Sequence, residues 1–149
     1  MWFVRVASLA AAVPLASSCG GDEGARLSAE DFRDRAEANC REIEGADVRP
    51  PSDVSDVDRF ADEFIAVVEA SASEMHELEP PEEFEARWQE YLALVDDAVS
   101  RLHEFRDDLE GASPEEITRL ADEFGAGFEE LERRGHEIEQ ELGLDECID

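Results

Sequence analysis

The sequence predicts an all-α fold: an antiparallel four-helix bundle in up-down-up-down order with a short first helix. Three observations predict it. Apolar residues recur at steps of three and four in four successive stretches, as one face of a 3.6-residue helix requires. Turns marked by proline or glycine separate the stretches. Alternation of period two is sustained nowhere, and the continuous Val/Ile runs of a buried parallel sheet are missing.

The chain ahead of the bundle reads as an address. Met1 to Ser18 contains no acid, has Arg5 as its only charge, and is apolar from Val6 through Ala16 apart from Ser8 and Pro14. It resembles a signal peptide, because the apolar run is about a dozen residues and a membrane-spanning helix needs roughly 20. Leu15-Ala16-Ser17-Ser18-Cys19 resembles a bacterial lipobox, with Ala16 where Leu is commonest. That resemblance implies a lipoprotein signal peptide over residues 1–18, lipidation of Cys19, and a mature chain that begins there. The alternative is ordinary cleavage, an unmodified Cys19 and a secreted protein. Gly20-Gly21-Asp22-Glu23-Gly24 has the composition of a flexible tether, so residues 19–26 are expected to hold residues 27–149, the bundle domain, away from a membrane.

Helix one places Phe32, Ala36, Cys40 and Ile43 on one face, with Ser28 and Asp31 in a capping arrangement; Gly45 and Pro50-Pro51 end it. Helix two is expected from about Val54 to Leu78, with Val57, Phe60, Ala61, Phe64, Val67, Val68, Ala72, Met75 and Leu78 on its stripe. Glu79-Pro80-Pro81 makes a turn. Helix three then carries the longest unbroken stripe, from Phe84 through Trp88, Tyr91, Leu92, Val95, Val99, Leu102 and Phe105 to Leu109, and Gly111 closes it. Ser113-Pro114-Glu115-Glu116 is the strongest helix start in the chain: a capping hydroxyl, proline at the first helical position, and acids at the positive end of the helix dipole. Helix four continues to Leu142, weakened by Gly125, Gly127 and Gly135; close helix contact at Gly127 or Gly135, or else a kink, accounts for their presence. Four such amphipathic helices bury their stripes only against one another, and short connections set sequential neighbours antiparallel.

Length and charge narrow the function. The 149 residues suffice for one core. Against 41 Asp and Glu stand 13 basic residues, all of them Arg, and the formal charge is −28. A chain this acidic repels phosphate backbones and anionic lipid surfaces, which disfavours nucleic-acid binding and polybasic membrane attachment. Lysine chemistry is excluded outright. Such acidity suits a high-salt habitat or simply a solvated helical surface.

With Cys19 lipidated, Cys40 and Cys147 remain as a single pair in an oxidising compartment, where a disulfide persists. Pairing requires Cys40 to lie near the end of helix four, the chain after Leu142 to fold back against helix one, and residues 44–55 to climb along the bundle to helix two. The alternative is two buried free thiols. Phe32 to Cys40, Pro80-Pro81, and Leu142-Gly143-Leu144 with Cys147 resemble the pattern of a group of small secreted or lipid-anchored helical proteins of high-GC actinobacteria. The resemblance implies the fold and the pairing, and carries no catalytic residue with it; the extreme acidity departs from the group and hints at a halophilic member.

Other chemistry is sparse. His76, His103 and His136 each precede a Glu, but the residues three before them are Ser73, Ser100 and Arg133, so the Glu-x-x-His motif of a di-iron bundle is absent. They read as surface histidines, with a weak metal site from His76, His136 and nearby Glu as the alternative. Asp53, Asp56 and Asp58 lack the spacing and glycine of a calcium loop and read as helix caps. No serine lies in a glycine-flanked nucleophile turn. Trp88 and Tyr91 read as core and boundary residues, or else as the lining of a pocket between helices. No catalytic residue, metal or cofactor is implied. The expected role is a non-enzymatic, lipid-anchored protein on the outer face of the cell membrane that presents its acidic bundle to another envelope component. The alternative is an extracytoplasmic bundle that binds a small ligand or a cation.

Overall fold

The computed structural model describes residues 26–147; Cys19 and the expected signal peptide over residues 1–18 lie outside them. The described chain forms α1 (Ala29–Glu44), a 3-10 turn (Val54–Asp56), α2 (Val57–His76), α3 (Glu85–Leu109), α4 (Pro114–Leu142) and a second 3-10 turn (Asp145–Cys147). Among the described residues there is no strand.

Local chemistry sets each boundary. Ser28 Oγ accepts from the backbone N–H of Asp31 and starts α1. At α4 the predicted Ser113 cap forms, and the structure adds the reciprocal bond of a capping box: Ser113 Oγ accepts from the Glu116 N–H, and the Glu116 carboxylate accepts from the Ser113 N–H at 2.8 Å. Helix two is shorter than the sequence predicts, at both ends. Asp53 accepts from Ser55 N–H, Ser52 Oγ donates to Asp56, and the chain winds through a 3-10 turn before α2 proper begins at Val57. At the other end Leu78 N–H bonds to Met75 O, tightening the chain out of the helix ahead of Pro80.

Contacts between helices establish the order. Asn39 meets Ser71 while Leu27, earlier in the chain, bonds to Glu79. His76 pairs with Asp96, Glu69 with His103, and Asp62 with Arg106. Arg87 pairs with Glu141, Tyr91 with Glu139, and Phe105 stacks near Phe124. In each set one number rises as the other falls, so every sequential pair of helices is antiparallel and the bundle runs up-down-up-down.

The core is concentrated at one end. There Phe32, Ala36, Met75, Trp88, Tyr91, Leu92, Ile138, Leu142 and Leu144 pack together, drawing on all four helices and on the chain beyond α4. Phe32 and Trp88 are fully buried with ring centroids 5.0 Å apart, edge to face. α1 ends beside Val67, where Ile43 and Ala46 line the same surface hollow, so the first turns of α2 extend beyond it. The linker after α1 continues alongside them, with Asp47, Arg49 and Ser52 close to Arg59 and Glu63. This is the climbing path that the cysteine pairing requires.

Candidate functional site

Cys40 sits on the buried face of α1, and the chain beyond α4 brings Cys147 to it, with Sγ atoms 2.08 Å and Cα atoms 5.4 Å apart. A left-handed Gly143 (φ 73°) caps α4, Leu144 turns into the core, and the second 3-10 turn packs on α1. Cys19, the residue expected to be lipidated, lies outside the described residues.

The histidines are not brought together. His76 Nε2 lies 2.8 Å from Asp96, His103 Nε2 2.8 Å from Glu69, and His136 Nε2 4.0 Å from Glu139, and all three side chains are about half exposed. Among the described residues no group of three or more His, Cys, Asp or Glu is arranged to hold a metal ion. Among them, too, no helix is long and apolar enough to cross a membrane.

The third of these pairs belongs to a different arrangement. Between α3 and α4 runs a cleft of about 190 Å³ lined by Leu94, Val95, Ala98, Phe128 and Leu131, with Tyr91, Glu132, Gly135, His136 and Glu139 completing it. Glu139 is only 5% exposed. Its Oε1 accepts a 2.7 Å hydrogen bond from the Tyr91 hydroxyl, while its Oε2, also buried, has no hydrogen-bond partner. Burial pushes the Glu139 carboxyl above the usual carboxylate range, against the opposing pull of the Tyr91 bond and of His136. Burial also pushes the Tyr91 phenol up, reinforced by Glu139, so the hydroxyl keeps its proton and donates. The result is an apolar slot bordered by a buried carboxyl, one oxygen of which is unpaired and has almost no accessible surface.

A second buried polar cluster is satisfied. Ser71 Oγ donates to Asn39 Oδ1 at 2.5 Å, and Asn39 Nδ2 donates to Ser71 O and to Glu74. It fixes α1 against α2.

The sequence points to Tyr91 as a possible lining residue, and Tyr91 lines the cleft; Trp88, its companion in that reading, lies wholly in the core. Glu139 escapes a reading in which carboxylates are too numerous to distinguish. Its signal is positional. Phe128, Leu131, Gly135, Glu139 and Leu142 step by three, four, four and three, so Glu139 occupies a place on the buried stripe of α4 where an apolar residue is expected. The Glu pairs with the chain's single Tyr on the facing helix.

No protein-family model matches this chain, and neither a curated protein nor a solved structure matches it.

Proposed function

We propose that the chain is a non-enzymatic, lipid-anchored protein of the outer face of the cell membrane, presenting an acidic helical bundle to another envelope component. The observation that carries the reading is where the positive charge goes. Arg26, Arg59, Arg87, Arg101, Arg106, Arg119, Arg133 and Arg134 each pair with a carboxylate of the bundle itself. The chain nevertheless carries a formal charge of −28, so most of its carboxylates face outward without internal counter-charge. A partner with a basic face is attracted over the whole surface, which raises its association rate and makes binding sensitive to salt. The membrane attachment is supported by the leader and by Cys19, and the extracytoplasmic address by the Cys40–Cys147 pair, which suits an oxidising compartment.

Pull-down from native membranes, comparing the wild type with Cys19→Ser, tests both halves. The expected result is a basic partner co-purifying with the wild type and eluting as salt rises, with Cys19→Ser lost from the membrane or left as precursor. An unmodified Cys19 in processed, membrane-free wild type overturns the anchor. A partner retained at high salt overturns the electrostatic reading.

A second reading, a bundle that binds a small ligand, is favoured by the apolar cleft between α3 and α4.

A further inference from the structure

We propose that the cleft between α3 and α4 docks a basic segment of the partner protein, seating one aromatic side chain of that segment between Leu94, Val95, Phe128 and Leu131 while its cationic residues meet Glu129 and Glu132. The inference rests on the reading of a basic partner and names where that partner docks.

The apolar stripes of α3 and α4 are sealed where α1 packs on the bundle, and Trp88, Leu92, Ile138 and Leu142 are buried there. Next to them Leu94, Val95, Ala98, Phe128 and Leu131 stay partly exposed and line the cleft, to which neither α1 nor α2 contributes a residue. A contiguous apolar opening with a polar rim marks an interaction surface. Its size limits what enters. A cavity of about 150 Å³ with aliphatic and aromatic walls holds a benzene ring, so this cleft of about 190 Å³ takes one phenylalanine-sized side chain. A single aromatic anchor in a pocket is how interfaces concentrate their binding energy.

Gly135 supports the same reading. Glycine weakens a helix interior, so its presence in α4 calls for a reason. A Cβ built there meets Tyr91 Cε2 at 4.0 Å, an ordinary contact, so close helix packing does not demand the glycine. What the missing side chain does is leave one wall of the cleft open.

Charge selects the occupant. The arginines of α4 are spent elsewhere, Arg119 on Glu123, Arg133 on Glu130 and Glu137, and Arg134 on Glu90. Glu132 lines the cleft, Glu129 is exposed one turn before it on the same side of α4, and neither forms an ion pair among the described residues. No Arg lines the cleft among those residues. A basic segment therefore meets complementary charge beside its anchor, whereas a second copy of a chain with a formal charge of −28 meets repulsion.

The test is NMR titration of the full-length chain carrying Cys19→Ser, at fixed low ionic strength, with a set of short capped peptides. The first has one phenylalanine among lysines, the second replaces the phenylalanine by alanine, and the third keeps it and replaces the lysines by glutamines. The first is expected to shift the methyl signals of Leu94, Val95, Ala98 and Leu131 saturably and to bind about tenfold or more tighter than either of the others. Gly135→Leu, which fills the cleft from a wall that tolerates a Cβ, should abolish the advantage of phenylalanine over alanine and keep that of lysine over glutamine. Ala98→Leu fills it from the α3 side and should do the same, so the proposal stays testable if one variant fails to fold. Glu129→Gln with Glu132→Gln should cut the advantage of lysine by more than Glu110→Gln with Glu115→Gln, which removes the same charge at the far end of the helices. If the phenylalanine and alanine peptides bind alike, the attraction is diffuse, so the docking site is overturned while the basic-partner reading stands. If no peptide binds even at low salt, that reading falls with it. If the glutamine peptide binds the cleft as tightly as the lysine one, the occupant is apolar and uncharged and the basic segment is overturned. If the cleft signals move with protein concentration alone, the occupant is a second copy of the chain and the proposal fails.

Discussion

Arg33 of α1 donates from Nε to the carbonyl oxygen of Leu142, the last residue of α4, at 2.7 Å, and its guanidinium carbon lies 4.9 Å from the centre of the Phe84 ring. One side chain thus ties the first helix to a C-terminal carbonyl of the last, which lacks a partner within its own helix. A cation is favoured at that end by the helix dipole as well. Arg33→Met keeps most of the apolar stem over Phe84 and removes the donor and the charge. It should cost about 1.5–3 kcal/mol, the range for a hydrogen bond to a charged group. Chemical denaturation checks this through a lower midpoint at unchanged slope; no shift would mean that water replaces the bond at no cost.

Gly143 is held by two constraints at once. Its φ of 73° is the left-handed conformation that closes α4, and a Cβ there would stand 3.1 Å from Arg33 Nε. Gly143→Ala should therefore destabilise by more than about 1 kcal/mol, the usual scale for alanine at a left-handed position. The matched control is Gly125→Ala on exposed α4, where an added Cβ meets nothing within 4 Å and better helix propensity should raise the melting temperature.

The fold was legible because its determinants are local and repeated: stripes of period 3.6, a capping hydroxyl at Ser113 followed by proline and acids, prolines at 50–51 and 80–81. The start of α2 was less so, since Asp53 and Asp56 compete for backbone and hydroxyl donors and draw the chain into a 3-10 turn that helical periodicity does not register. Buried polar positions were the hardest to read. Asn39 and Glu139 gain meaning only from partners 32 and 48 residues away, Ser71 and Tyr91, and in a chain with 41 acids a carboxylate at a core position is masked by its neighbours on the surface.

The Cys40–Cys147 pair spans 107 residues and joins α1 to the chain beyond α4. In the chain-entropy picture, closing a loop of that length stabilises by up to about 4–5 kcal/mol. Cys40→Ala together with Cys147→Ala should lower stability by a large part of that amount, with Leu144 and the second 3-10 turn loosening first. Thiol counting on the denatured, unreduced protein purified from its native source should find neither cysteine free. Amide exchange near Leu144 reads the local effect, and equal protection there with and without the pair would show that packing alone holds the C-terminal segment.

Glu139 makes the stability of the bundle depend on pH in a definite direction. Burial raises its carboxyl above the ordinary value of 4.5 that it takes in the unfolded chain. Below that value both states hold the proton and Glu139 contributes no pH dependence. As pH rises into the window above it, the unfolded chain releases the proton while the folded chain retains it. The unfolded state then binds fewer protons, and stability falls with pH until the folded-state value is passed, after which the loss is constant. Tyr91 and His136 narrow this window by favouring the charged form, and desolvation outweighs them. Glu139→Gln has no carboxyl to ionise, so its stability relative to wild type should rise from pH 4 to pH 7. Other carboxylates also repel one another more as pH rises, so the reference is Glu129→Gln, which removes a charge from an exposed position of the same helix. Urea denaturation of the three proteins at pH 4, 5.5 and 7 checks the prediction. The gain of Glu139→Gln over Glu129→Gln should widen with pH. A constant gap would mean that Glu139 ionises alike in both states, and that the slot between α3 and α4 admits water to the carboxylate.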